Sequence, residues 1–151
     1  MLRARYYKKN LVFKNPARTS RNTLYEKECW YIEVWHESHP HIKGIGECGL
    51  LKGLSCDNIE TYELALADFC EKINNYSENY HDKLKNYPSI IFAIEQALLD
   101  LKNGGKRILF DSEFTNNELP ININGLIWMD SPEDMIKQIE EKIRLGFSCL
   151  K

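Results

Sequence analysis

Near Asp57 the apolar periodicity of the chain changes from two residues to between three and four, so one fold must combine a sheet with helices laid on it. Before that point, residues 2–13 and 23–37 are rich in aromatic and branched side chains in alternation, the mark of half-buried strands. The polar stretch Asn15–Asn22, broken by Pro16, reads as an eight-residue loop between them. Ser38-His39-Pro40-His41 marks a turn, and residues 42–48 supply a third short strand, so an antiparallel meander is predicted. Beyond Asp57, Tyr62, Leu66, Phe69 and Ile73 form the stripe of an amphipathic helix, with Glu60, Glu63, Glu71 and Lys72 on its other face. Ile91, Ile94, Leu98 and Leu101 repeat the pattern in a second helix that Pro88 opens and Gly104-Gly105 closes. Two helices over one face of a three-stranded sheet make an α+β unit.

The last forty residues follow another rule. Residues 111–120 are polar and fit a linker, and residues 121–128 read as a strand. Ser131-Pro132-Glu133-Asp134 then opens a helix, with Ser as N-cap, Pro at the first helical position and acids at the positive end of the dipole. Ile136, Ile139 and Ile143 are expected to line its buried face, Gly146 to end it, and residues 147–151 to resume as a strand. The two strands of such a β-α-β succession are parallel, and parallel sheets are covered on both faces. One helix over two strands leaves a face bare, so the architecture reads as unfinished. Either further strands lie outside the chain, or these two add to the front sheet.

Composition bounds the partners. A chain of 151 residues suits one compact unit, and its 43% hydrophobic content and net charge of −2 offer no broad basic field for nucleic acid. Arg3, Arg5, Lys8 and Lys9 make the first strand locally basic, as suits a protected sheet edge. Cys29, Cys48, Cys56, Cys70 and Cys149 form an odd set without a C-x-x-C pair, which argues against disulfides or a zinc ribbon and for a reducing cytoplasm. No basic-then-apolar leader opens the chain, and its longest apolar run falls far short of the roughly 20 residues that span a bilayer, so no membrane partner is expected.

Four glycines crowd Gly44-Ile45-Gly46-Glu47-Cys48-Gly49-Leu50-Leu51-Lys52-Gly53-Leu54-Ser55, which reads as a shaped functional loop between a strand and a helix. This stretch, with Phe13–Arg21, with Pro88-Ser89-Ile90 and Ala93–Leu101, and with Ile123-Asn124-Gly125-Leu126-Ile127-Trp128-Met129, resembles o-succinylbenzoate synthase of the enolase superfamily over essentially the whole chain. The resemblance implies an N-terminal capping domain over residues 1–115 and, over residues 116–151, the first β-α-β unit of an incomplete TIM-type barrel. It implies Mg²⁺-dependent dehydration of 2-succinyl-6-hydroxy-2,4-cyclohexadiene-1-carboxylate, a menaquinone precursor, by loss of the proton next to a carboxylate. A dianion formed in that way must meet strong positive charge at once, which a divalent metal supplies.

In the family the metal ligands end the third, fourth and fifth barrel strands, so none transfers to a residue here, and the chain alone is expected to bind no metal and to be inactive. Lys151 matches the first lysine of the family's Lys-x-Lys pair, whose second member is the base. Ser20, Arg21, Leu54 and Ser55 match the two capping loops that shield the reaction and recognise the substrate, Arg21 being suited to a succinyl carboxylate. Trp128 belongs to the matched segment and is a further substrate-side candidate. The alternatives are a dipeptide epimerase of the same superfamily and a non-catalytic α+β module that binds an anion through Arg21. Glu47 is expected to be structural, His36, His39 and His41 to sit on a solvated turn, and Asp111 and Glu113 to face water. An uncovered barrel edge would favour self-association.

Overall fold

A computed structural model of the chain describes residues 1–18, 23–76 and 79–151. Strands β1 (Leu2–Arg18), β2 (Thr23–His36) and β3 (Lys43–Cys48) form an antiparallel sheet in that order, and helices α1 (Tyr62–Glu71), α2 (Tyr80–Lys83), α3 (Pro88–Lys102) and α4 (Pro132–Arg144) follow. The chain divides into two compact units, one of Met1–Leu11 with Glu28–Asp111 and one of Val12–Lys27 with Ser112–Lys151. No helix among the described residues is long and apolar enough to cross a membrane.

In the first unit the alternation of β2 puts Trp30, Ile32 and Val34 on one face, buried with Leu66 and Phe69 of α1 and with Ile90 and Ile94 of α3. The buried face of α3 is centred on Ile90, Ala93, Ile94 and Ala97, while Ile91, Leu98 and Leu101 lie at its margin. Glycine explains the shift. A Cβ on Gly44 would stand 1.8 Å from the Ala97 carbonyl oxygen, and one on Gly46 would stand 1.8 Å from that of Ala93. The helix backbone therefore rests directly on the strand backbone, and only small residues fit on either side. Gly44 and Gly46 belong to β3, so the glycine-rich stretch is half strand, and the shaped loop begins only at Gly49.

β3 is an edge strand, and its register with β2, in which Gly46 faces Ile32 and Gly44 faces Val34, turns the amides of Ile45 and Glu47 outward. Two α3 side chains one turn apart receive them. Asp100 Oδ2 accepts from Ile45 N at 3.0 Å and Gln96 Oε1 accepts from Glu47 N at 3.3 Å. Asp100 is fully buried, and it also accepts from the Arg107 backbone N–H at 2.7 Å and from the Arg107 guanidinium. That guanidinium in turn donates to the carbonyls of Lys43 at 2.9 Å and Gly105 at 3.0 Å, tying the end of α3 to the start of β3. On the opposite sheet face, buried Glu33 accepts from Arg5 at 2.9 Å and Lys43 at 3.0 Å. Burial opposes ionisation of Glu33, but the Arg5 and Lys43 hydrogen bonds outweigh it and hold the carboxyl below its ordinary range.

β1 runs on through Asn15 and Pro16 to Arg18, well into the stretch expected to be a loop. An edge strand tolerates proline because a missing N–H on its open side breaks no ladder. In the second unit the expected strand at 121–128 is reduced to one parallel bridge, Gly125 to Leu150, with Gly125 N donating to Cys149 O at 2.8 Å and Lys151 N to Gly125 O at 3.0 Å. Ser131 caps α4 as expected, its Oγ accepting from Asp134 N at 3.2 Å, and Gly146 closes the helix at φ +85°. Contrary to expectation, Ile136, Ile139 and Ile143 are exposed. A stripe is buried only by a sheet beneath it, and a single bridge is too narrow to supply one.

Four outcomes follow from these contacts. Asp100→Asn leaves the guanidinium and the two amides short of a charged acceptor and is expected to cost about 3 kcal/mol in urea unfolding, while Gly46→Ala is expected to cost roughly 2 kcal/mol through forced backbone separation. Because its folded carboxyl is depressed, Glu33 contributes stability above the unfolded value of about 4.3 and loses it as pH falls through the lower folded value. The urea midpoint should therefore decline across that acid window, and Glu33→Gln should flatten the decline. Ser131→Ala should weaken α4 by about 1 kcal/mol, read as faster amide exchange at Asp134 and Met135.

Candidate functional site

The loop that follows β3 is built by its own backbone. Buried Leu50 anchors its start, Gly53 takes φ +77°, and the amides of Leu54 and Ser55 donate to Leu51 O at 3.0 and 2.9 Å. Ser55 Oγ accepts from Leu51 N at 2.8 Å, which closes the turn and leaves the hydroxyl proton free to donate outward. Leu54 is exposed at the tip. Just beyond, buried Asp57 accepts from the amide of Ser89 at 3.0 Å and from its hydroxyl at 2.7 Å. The carboxylate thereby serves the first turn of α3, where the dipole favours negative charge. Leu54 and Ser55 thus sit on a closed turn held at both ends to the core.

The second unit contains a cleft of about 690 Å³ lined by residues of Phe13–Ala17, by Leu126, Trp128, Met129 and Asp130, and by the near face of α4. Trp128 is half exposed there, and its backbone is fixed by Gln138, which accepts from Trp128 N at 2.8 Å and donates to Trp128 O at 3.3 Å. Arg18 pairs with Asp130, whose Oδ1 also accepts from Ser131 N at 2.9 Å. Lys151 is exposed and accepts through its carbonyl from Ile127 N at 2.8 Å, so its backbone runs beside the residue before Trp128. Ser20 and Arg21 lie outside the described residues.

Other candidates resolve into support. Glu47 accepts from Cys29 Sγ at 3.4 Å and its amide is held by Gln96, which agrees with a structural role. His36, His39 and His41 are exposed about the β2–β3 turn, where His39 N donates to His36 O at 2.9 Å, and Asp111 and Glu113 are exposed. Burial pushes the thiols of Cys48 and Cys70 up to about 12, which removes them as nucleophiles near neutral pH. Among the described residues no group of three or more His, Cys, Asp or Glu is placed to hold a metal ion. Among the residues that sequence reasoning missed are the buried carboxylates Asp57 and Asp100. The spacing of Gln96 and Asp100 by one helical turn was the signal for the second.

The o-succinylbenzoate synthase of Desulfotalea psychrophila is 31% identical over an alignment 180 positions long that covers 97% of this chain and 47% of that protein. The crystal structure of MenC from the same organism superposes with a TM-score of 0.77 at 27% identity, over 99% of this chain and 48% of that structure. The chain is homologous to o-succinylbenzoate synthase, of the enolase superfamily. It spans about half the length of the synthases it matches. A dipeptide epimerase from Methylococcus capsulatus, in complex with Mg and L-Arg-D-Lys, superposes with a TM-score of 0.70 at 15% identity over 97% of this chain and 44% of that structure. At that identity the likeness concerns the fold alone. No family model matches the chain.

Proposed function

We propose that the chain supplies the capping and first barrel portion of an o-succinylbenzoate synthase, with residues 1–115 as cap and residues 116–151 as the start of the barrel. The whole enzyme would dehydrate 2-succinyl-6-hydroxy-2,4-cyclohexadiene-1-carboxylate to 2-succinylbenzoate in the cytoplasm, on the way to menaquinone. The observation that carries this reading is 31% identity to a synthase across 97% of the chain.

In this reading the cap residues hold the small carboxylate substrate and exclude water. Arg21 and Ser20 would pair with the succinyl carboxylate, because a guanidinium offers two parallel donors to it. Ser55 would donate its free hydroxyl proton, and Leu54 and Trp128 would present apolar surface to the ring. Lys151, as the first lysine of a Lys-x-Lys pair, would lower the proton affinity of a second lysine two positions on. When bound, Mg²⁺ would neutralise the charge that develops on the substrate carboxylate. The described residues of this chain do not offer its ligand set, so the metal would be held by later barrel strands, and this portion by itself would not turn over substrate. The bare face of the second unit would favour association of the isolated chain.

The test replaces the matching half of the Desulfotalea psychrophila synthase with this chain and assays the folded chimera on both substrates. Dehydration of the cyclohexadiene without racemisation of dipeptides is expected, with Arg21→Ala raising KM by about tenfold or more through loss of the charged pair. Turnover of dipeptides in place of the cyclohexadiene would overturn the reading.

A further inference from the structure

Glu28, which no motif singles out, occupies an unusual electrostatic position. It projects from β2 between two lysines from different elements. One carboxylate oxygen pairs with Lys8 of β1 and the other, shut off from solvent, pairs with Lys52 in the loop that carries Leu54 and Ser55. Lys8 extends the chain of charges, since its ammonium lies 3.9 Å from Glu63 of α1 and 4.8 Å from the centre of the Trp30 ring. Glu63 in turn accepts from the indole N–H of buried Trp30 at 3.1 Å. Positive and negative groups therefore alternate from the loop to the core: Lys52, Glu28, Lys8, Glu63. Ion pairing with Lys52 and then Lys8 holds the Glu28 carboxyl below its ordinary range, so the carboxylate is charged near neutral pH.

The loop needs such a tether. The hydrogen bonds around Gly53 join loop residues to one another, and Leu50 and Asp57 anchor the two ends of the loop but not its tip. Lys52, one residue before Gly53 and two before Leu54, is where an external contact controls how the tip is presented.

We propose that Glu28 is a positioning residue: through Lys52 it fixes the Gly49–Ser55 loop on the sheet and so sets how Leu54 and Ser55 are presented to a substrate. This rests on the proposed role of that loop in substrate recognition, but the tether itself is measured without any substrate. An ion pair that is partly exposed is weak, so its loss loosens the loop by a modest factor rather than unfolding it.

The experiment follows amide exchange by NMR in the intact chain and in Glu28→Gln, Lys52→Met and Glu28→Asp. Glu28→Gln and Lys52→Met should each speed exchange at Leu54 and Ser55 by about two- to five-fold, with Ile32 and Ile94 unchanged, and Glu28→Asp should restore part of the protection. Unchanged loop exchange in both neutral variants would overturn the proposal. Equal acceleration at Ile32 and Ile94 would overturn it too, by making Glu28 a general stabiliser. Neither outcome depends on catalysis, so failure of the synthase reading remains separately visible in the chimera assay.

Discussion

Backbone-to-backbone contact between α3 and β3 is the constraint on which the cap is built. The open edge of a sheet exposes N–H groups that must find acceptors, and here two side chains of a helix provide them. This works only because Gly44 and Gly46 let α3 approach to a distance that no Cβ would permit. Asp100 is then drawn fully out of water, and Arg107 balances its charge while binding the chain on either side. The arrangement seals an edge, orients α3 and fixes where β3 delivers the loop after Cys48. The position of Leu54 and Ser55 is thus a consequence of a polar seam some distance behind them.

What was legible in the sequence was whatever depends on neighbours along the chain. The stripe of Tyr62, Leu66 and Phe69, the opening of α3 at Pro88 and the cap of α4 at Ser131 are local, and each stands where periodicity or capping chemistry puts it. What was illegible depends on groups far apart. Residues 42–48 read as a strand and form one, but why that strand carries Gly44 and Gly46 was hidden because the helix that requires them begins forty residues later. The run of β1 through Pro16 depended on that strand lying at an edge, which only the sheet order reveals. The exposure of Ile136, Ile139 and Ile143 turned on how wide a sheet lay beneath α4. Of the site residues, Ser55 closes its own turn by accepting from the Leu51 amide, and Trp128 has its backbone braced by the Gln138 side chain.

Homology to o-succinylbenzoate synthase gives these features a common sense. The loop after β3 is braced at its base while its tip at Leu54 stays exposed. Asp57 and Ser89 brace one side of the second loop, and the charges around Glu28 brace the other. In the second unit a parallel bridge, a capped helix and a bare apolar stripe are elements of a parallel β/α array, consistent with a chain about half as long as its homologues.

Hydrogen exchange at Ile45 and Glu47 in the unmodified chain tests the central claim most directly. If α3 seals the edge of β3, both amides exchange as slowly as the core amides Ile32 and Ile94. Exchange at the rate of an open sheet edge, orders of magnitude faster than that core, would contradict the account.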